Sequence, residues 1–184
     1  MLAPAPLAIA ALLLLAGAPV WGQTPDEPLL QSEEDGAVVT RLLVPAPESE
    51  VRRVLSDPRA FGRLTPDVFA LDVRPSGPCQ ELRADTRGLL EPLHFSTLRC
   101  PAGTGWRESL VASDSFTRYD AEMQLKPVEG GTRVTYRLAV GIDLPVPQLV
   151  VSRNVKRSAR LTMQALRDLF ARRPAAPAPA PPQE

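Results

Sequence analysis

Residues 117–140, TRYDAEMQLKPVEGGTRVTYRLAV, carry two alternating patterns separated by a turn. From Tyr119 to Leu125 every second residue is apolar, and the residues between are charged or carry an amide. The same alternation runs from Val134 to Val140, after the Gly130-Gly131 pair. A period of two is typical of a strand with one buried face, and paired glycines favour a tight turn. The stretch therefore predicts a β-hairpin with one face on a core and the other in solvent.

Upstream of this hairpin, turn residues separate four more short alternating segments, which predicts a six-stranded antiparallel meander. A β-branched run at 38–44 predicts an earlier strand. Prolines and helical spacing then predict two short helices, with Asp57 as the N-cap of the second. The predicted helices span 48–55 and 58–64, and the predicted strands span 69–74, 79–87, 93–100, 106–112, 117–125 and 132–140.

Downstream of the hairpin the apolar period changes to 3.6, which predicts a long helix over residues 148–172. The apolar side of this helix projects little at mid-length, because Ala159 and Thr162 are small. A curved sheet packed on such a helix is expected to leave a void. The predicted apolar stripe consists of Val151, Val155, Ala159, Thr162, Leu166 and Leu169.

The order of strand, two short helices, six strands and long helix resembles the helix-grip fold of the START, polyketide-cyclase and birch-pollen-allergen (SRPBCC) superfamily. Three stretches are similar to that superfamily: VPAPESEVRRVLSDPRAF at 44–61, LKPVEGGTRVTY at 125–136 and LPVPQLVV at 144–151. The polyketide cyclase/coenzyme Q-binding START-like branch is the most similar one. The resemblance implies an α+β fold whose long C-terminal helix packs on the curved sheet. It also implies a hydrophobic cavity between them that holds a lipid, a quinone or a similar apolar molecule.

The beginning of the chain has the pattern of a signal peptide. The first 23 residues carry no charged side chain, and residues 7–18 form an apolar run. Cleavage is expected before Gln23, so residues 1–22 form the predicted leader. An uncleaved membrane anchor is the alternative, although the run is shorter than the roughly 20 residues that a spanning helix needs. The sequence therefore predicts an exported, periplasmic protein.

The rest of the chain divides into three parts by composition. Residues 23–36 are predicted to form an acidic linker, 37–173 the START-like domain and 174–184 a disordered Ala/Pro-rich tail. Lys and Arg number 21, as do Asp and Glu, so the formal net charge is zero. This balance argues against nucleic acid as a partner. A monomer is expected, and transient membrane contact stays open.

Two cysteines bracket the predicted hairpin formed by strands 79–87 and 93–100. If the turn is centred between residues 89 and 90, paired residues have numbers that sum to 179, and Cys79 faces Cys100. In an exported protein this register favours a disulfide. Two free thiols or a metal site are the alternatives, but two cysteines and one distant histidine are a poor metal-ligand set.

The same register places His94, the only histidine, opposite Asp85 on the outer face. This pair is either a surface contact or a catalytic dyad. The sequence contains no GxSxG, HExxH or phosphate-binding glycine loop. We therefore predict no catalytic residue, no metal and no cofactor.

The candidate ligand-binding residues lie on the predicted inner faces of the strands and on the apolar stripe of the long helix. Taken singly, each is more simply explained as ordinary core. Tyrosines there can orient a carbonyl or hydroxyl group of a ligand. The leading hypothesis is non-enzymatic binding or transport of a hydrophobic small molecule in the cell envelope. The alternatives are a cyclase/dehydratase-like enzyme acting on an aromatic or polyketide-like substrate, which needs a polar group facing the cavity, and a filled-core interaction domain. The candidates are Phe95, Tyr119, Met123, Tyr136, Leu138, Val155 and Ala159.

Overall fold

A computed structural model describes residues 28–88, 91–143 and 145–172. Within these ranges the chain forms one eight-stranded antiparallel sheet and three helices, the α+β helix-grip arrangement expected above. The strands are β1 (Leu30–Glu34), β2 (Ala37–Val44), β3 (Val68–Ser76), β4 (Cys79–Arg87), β5 (Pro92–Ala102), β6 (Gly105–Ser113), β7 (Phe116–Val128) and β8 (Gly131–Ile142). The helices are α1 (Glu48–Leu55), α2 (Pro58–Leu64) and α3 (Gln148–Ala171).

The spatial order of the strands is β1-β2-β8-β7-β6-β5-β4-β3, so β3 to β8 form the predicted meander. In the β7–β8 hairpin, Met123 lies opposite Tyr136 and Leu125 opposite Val134. All four side chains are buried, which confirms the alternation in the sequence. We call the side of the sheet that carries them the inner face.

The two short helices occupy the segment between β2 and β3, as predicted. The Asp57 side chain accepts a hydrogen bond from the Arg59 amide at 2.9 Å, which caps α2. Helix α1 buries Val51 and Leu55, and α2 buries Phe61. Helix α1 packs against β7 and β8, whereas α2 packs against β3 and α3.

Helix α3 covers the inner face and buries Met163, Leu166 and Phe170 in its C-terminal half. The predicted stripe is wrong at its last position, because Leu169 is 36% exposed. Phe170 takes its place, since a step of four residues from Leu166 stays on the same face of a helix. Among the described residues, no helix is long and apolar enough to cross a membrane.

The segment predicted as a linker contains a strand that was not predicted, although Asp35-Gly36 is a two-residue hairpin signal. Strand β1 pairs with β2, with Gln31 opposite Thr40, and Leu29 packs against the core. The side chains of β1 that face α3 are polar, so no apolar alternation marks the strand. The predicted leader (1–22) and tail (174–184) lie outside the described residues.

The register predicted for the β4–β5 hairpin is confirmed. Residue numbers of paired positions sum to 179 throughout, as for Ala84 and Phe95. Cys79 and Cys100 form a disulfide, with their Cα atoms 4.3 Å apart. The bond joins the two strands at the end of the hairpin that is remote from its turn.

Candidate functional site: a cavity beneath helix α3

A cavity of about 110 Å³ lies between the sheet and the N-terminal half of α3. Ala159 and Thr162 form part of its wall, at the thin section of the helical stripe where the void was expected. The lining residues come from the α2–β3 connection, from strands β3, β4, β5, β7 and β8, and from α3. They are Thr65, Asp67, Val68, Thr86, Arg87, Gly88, Leu93, Phe95, Phe116, Tyr119, Tyr136, Leu138, Val140, Ile142, Val151, Asn154, Val155, Ser158, Ala159 and Thr162.

Six of the seven candidate residues line this cavity. Two of them are tyrosines and the other four have apolar side chains. That they bind a ligand stays a prediction. The six are Phe95, Tyr119, Tyr136, Leu138, Val155 and Ala159.

Met123 is the exception, since it does not line the cavity. Its side chain is fully buried in the hydrophobic core, and its backbone pairs with Trp106 on one side and Tyr136 on the other. It lies four residues along β7 from Tyr119, on the same face but farther into the core. Alternation placed Met123 on the correct face, but it could not tell cavity wall from filled core.

Tyr119 and Tyr136 place two hydroxyl groups in an otherwise aromatic part of the wall. The Tyr119 ring lies 5.2 Å from that of Phe95, and the Tyr136 ring lies 5.9 Å from that of Phe61. Burial raises the pKa of both tyrosines, and the negative charge of Glu108 raises both further. Both phenols therefore keep their protons at neutral pH. The two hydroxyl groups hydrogen-bond to each other, which leaves one proton to donate to a ligand.

A buried ion pair lies on the inner face of β5 and β6. Arg99 donates through Nε to Glu108 Oε2 at 2.8 Å, and Thr97 donates through its hydroxyl to Glu108 Oε1 at 2.6 Å. The guanidinium carbon lies 3.9 Å from the centroid of the Trp106 ring. The ion-pair side chains are only 7% and 5% exposed, so their charges act in a medium of low polarity. The charges of this ion pair act on the pKa values of Tyr119 and Tyr136.

Two donors of this cluster lack a protein acceptor within the described part of the chain: Arg99 Nη1 and Trp106 Nε1. Stacking of Arg99 on Trp106 partly compensates, because the face of an aromatic ring attracts a cation. Arg99 was not among the candidates, although a signal was present. It shares the parity of Phe95 along β5, so strand alternation alone places its charge on the inner face.

Part of the cavity wall is polar. The Asp67 carbonyl accepts hydrogen bonds from the Arg87 amide at 2.8 Å and from the Thr86 hydroxyl at 2.9 Å, which joins the start of β3 to the end of β4. Asn154 and Ser158 are polar residues of the wall that α3 contributes. The site therefore combines a mostly apolar lining with polar groups at the β3–β4 end and on α3.

His94 and Asp85 lie away from the cavity, on the outer face. The His94 Nδ1 atom is 2.8 Å from Asp85 Oδ1, and the two side chains are 60% and 40% exposed. They cannot serve a ligand held beneath α3. In the ranges that the structure describes, no group of three or more His, Cys, Asp or Glu side chains could hold a metal ion.

The contact between His94 and Asp85 predicts a pH dependence of stability. The hydrogen bond that Asp85 accepts from the His94 ring raises the pKa of His94 in the folded protein above its unfolded value of 6.5. The stabilisation is therefore complete below pH 6.5 and disappears as the pH rises through the higher folded-state value. We expect the melting temperature of the wild type, relative to His94→Gln, to fall slightly between pH 5.5 and pH 8. A difference in melting temperature between the two proteins that stays constant from pH 5.5 to pH 8 would contradict the contact.

This geometry defines a class of protein: a helix-grip domain with a small apolar cavity closed by its C-terminal helix. The sequence model of the family described as "Polyketide cyclase / dehydrase and lipid transport" matches residues 36–171. The chain belongs to this family, as its resemblance to the START/SRPBCC superfamily predicted. No curated protein matches the chain significantly.

Solved structures of this superfamily have the same fold. A START superfamily protein from Mycobacterium smegmatis is 22% identical, with a TM-score of 0.63, over 73% of this chain and 96% of that one. A STAR-related lipid transfer protein from Xanthomonas axonopodis is 19% identical, with a TM-score of 0.58, over 77% and 98%. An aromatase/cyclase from a Streptomyces species is 12% identical, with a TM-score of 0.65, over 74% and 93%. At these identities the likeness extends to the fold alone.

Proposed function

We propose that this domain binds and carries a hydrophobic small molecule in the cell envelope, as a monomer and without catalysis. The observation that carries this proposal is the cavity beneath α3, whose interior is lined by aliphatic and aromatic side chains. Burial of apolar surface in such a cavity favours binding by roughly 25 cal/mol per Å². The lipid-transfer protein among the structural relatives supports the proposal by analogy of fold.

The size and polarity of the cavity limit the ligand. Its volume of about 110 Å³ compares with about 150 Å³ for an engineered apolar cavity that binds benzene. The buried part of the ligand is therefore the size of one ring or a short alkyl chain. Tyr119 and Tyr136 remain protonated, so they favour a ligand with an acceptor oxygen at its buried end. A quinone or a hydroxylated lipid has this chemistry.

The proposed location rests on the predicted leader and on the disulfide. Disulfides persist in oxidising compartments such as the periplasm. The bond between Cys79 and Cys100 therefore agrees with export. The Met1–Gln23 stretch supports export through its composition alone.

Exposed apolar side chains next to residues of the cavity wall support a transient contact with a membrane during ligand transfer. Leu149 and Val150 are 62% and 39% exposed and directly precede Val151 of the cavity wall. Phe69, which is 56% exposed, directly follows Val68 on the other side. These side chains can enter the interfacial region of a bilayer while the cavity opens toward it.

Ala159→Leu tests the proposal by filling the cavity. Ala159 is 1% exposed and lines the wall, so a leucine there places three further carbon atoms in the volume. We expect the affinity for an apolar fluorescent probe such as anilinonaphthalene sulfonate to fall about tenfold or more, since steric overlap costs over 1.4 kcal/mol. Fluorescence titration measures this change.

The matched control is Ala165→Leu, on the same helix but outside the cavity wall. This variant should bind the probe as the wild type does, while both variants keep the fold by circular dichroism. Equal affinities for all three proteins would show that the probe binds elsewhere and would contradict the proposed site.

A cyclase-like enzyme is the second candidate, and the buried polar cluster is the observation that favours it. Glu108 lies inside the protein, unlike His94 and Asp85, and its charge acts on the two tyrosines of the wall. A protonated tyrosine can donate to a substrate carbonyl and assist loss of water. This hypothesis predicts that a poly-β-ketone loses water with the wild type, and does so far more slowly with Tyr119→Phe. If the wild type turns over no such substrate, the enzyme hypothesis fails and only the binding hypothesis remains.

A further inference from the structure

Strand β1 and helix α3 are joined by a row of polar contacts. Glu33 Oε1 accepts hydrogen bonds from the Ser152 hydroxyl at 2.7 Å and lies 2.8 Å from Lys156 Nζ. The Gln31 amide nitrogen donates to the Lys156 carbonyl at 2.9 Å and to the Thr40 hydroxyl at 3.1 Å. Its amide oxygen accepts from Arg160 at 3.5 Å. We call these contacts between Gln31, Glu33 and α3 the β1–α3 zipper.

The zipper follows the periodicity of both elements. Gln31 and Glu33 are two residues apart, so they lie on the same face of β1. Ser152, Lys156 and Arg160 are four residues apart, so they form one line along α3. The contacts therefore extend along about two turns of the helix and are not a single surface pair.

The helical segment held by the zipper is also the wall of the cavity. Val151, Asn154, Val155 and Ser158 line the cavity from these same two turns. The C-terminal half of α3 is held differently, because Met163, Leu166 and Phe170 are buried in the core. The N-terminal half lies over a void, where it has fewer apolar contacts to hold it.

The small volume of the cavity connects the zipper with ligand binding. Pockets for drug-sized ligands are typically about 300–1,000 Å³, which is more than twice the 110 Å³ found here. A ligand larger than one ring can enter only if the cavity wall moves outward. Because interiors are close-packed, the sheet side of the cavity yields less readily than a helix over a void. Displacement of the N-terminal half of α3 away from the sheet breaks the zipper.

We propose that Gln31 and Glu33 are specificity-determining residues that hold the N-terminal half of α3 against the sheet. They set the size of ligand that the closed cavity accepts and the rate at which a bound ligand leaves. This inference rests on the proposed function, and it assigns a role to a strand that the sequence predicted as a linker.

The opposite face of β1 supplies a matched control. Ser32 and Glu34 point away from α3, where Glu34 Oε1 accepts from Arg41 at 2.9 Å and from the Ser32 hydroxyl at 2.8 Å. The double variant Gln31→Ala/Glu33→Ala removes the zipper. The double variant Ser32→Ala/Glu34→Ala removes a comparable set of exposed polar contacts from the same strand and leaves the zipper in place.

The first readout is release of anilinonaphthalene sulfonate, followed by stopped-flow fluorescence. We expect about fivefold faster release from Gln31→Ala/Glu33→Ala, because several exposed polar contacts, each weak by itself, are lost together. Wild-type release should also accelerate at 1 M salt, which screens the Glu33–Lys156 ion pair. The control variant should release the probe at the wild-type rate. Equal rates for both variants and the wild type would overturn the inference.

The second readout needs no ligand. Amide hydrogen exchange in residues 150–158 should be several times faster in Gln31→Ala/Glu33→Ala than in the control, while residues 163–170 are unchanged. If the wild type binds no probe, the proposed function fails, but exchange still tests the zipper. Unchanged exchange in residues 150–158 would overturn the holding role itself.

Discussion

Glu108→Leu is expected to lower the free energy of unfolding by about 3–5 kcal/mol, the cost of leaving a buried charge without its partner. Glu108 is the counter-charge of Arg99, and both side chains are almost completely buried. The loss leaves a guanidinium group among aromatic rings, with one of its nitrogens already lacking a protein acceptor. Chemical denaturation followed by circular dichroism measures the change.

The double variant Arg99→Met/Glu108→Leu separates the charge effect from packing. Replacing both partners by apolar groups is often close to neutral, so most of the lost stability should return. The control is Asp120→Asn, which removes an exposed partner of Arg118 on the outer face and should cost less than about 1 kcal/mol. A loss below 1 kcal/mol for Glu108→Leu would show that the pair is solvated, contrary to the structure.

Loss of the disulfide has the second-largest expected effect. Cys79 and Cys100 are 21 residues apart, and a bond that closes a loop of this length stabilises by about 3 kcal/mol in the chain-entropy model. The variant Cys79→Ala/Cys100→Ala should lose this amount. Denaturation with and without a reductant measures the change in both proteins.

The alanine variant also serves as the control for the reductant. Reduction should destabilise the wild type by a similar amount and leave the variant unaffected. If reduction changes the wild type by less than about 0.5 kcal/mol, the cysteines are not paired in the protein. The support that the disulfide gives to export would then be lost, although the fold would stand.

Most of the secondary structure was predictable because local signals and tertiary packing agree. Prolines and the Asp57 cap mark the two short helices, and alternation marks strands β3 to β8. The β4–β5 register followed from the positions of the two cysteines and from hydrophobic pairs such as Ala84 and Phe95. The structure extends the ends of β3 and of β5 to β8 by one to three residues, since pairing continues beyond the alternating pattern, whereas β4 has the predicted bounds.

Strand β1 was missed although a local signal was present: Asp35-Gly36, with φ of 51° and 71°, is a two-residue turn that pairs β1 with β2. Gln31 and Glu33 look like linker residues until Lys156 and Ser152 are placed beside them. Only the tertiary fold brings α3 to this edge of the sheet.

The buried ion pair was missed for a related reason. A charged residue at an inner-face position is ambiguous in sequence, because strands often end or shift at such positions. Arg99 and Glu108 are buried because β5 and β6 place them opposite each other. Cavity residues were harder still: the same alternation that found Tyr119 and Tyr136 also selected Met123, which packs in filled core.

Native mass spectrometry of protein purified from its own cell envelope tests the central claim most directly. If the cavity holds a hydrophobic small molecule, the spectrum should contain a species heavier than the processed chain by one small organic ligand. Organic extraction should release that ligand, and Ala159→Leu should lack it. A wild-type protein that is empty by mass and binds no apolar probe would contradict the claim.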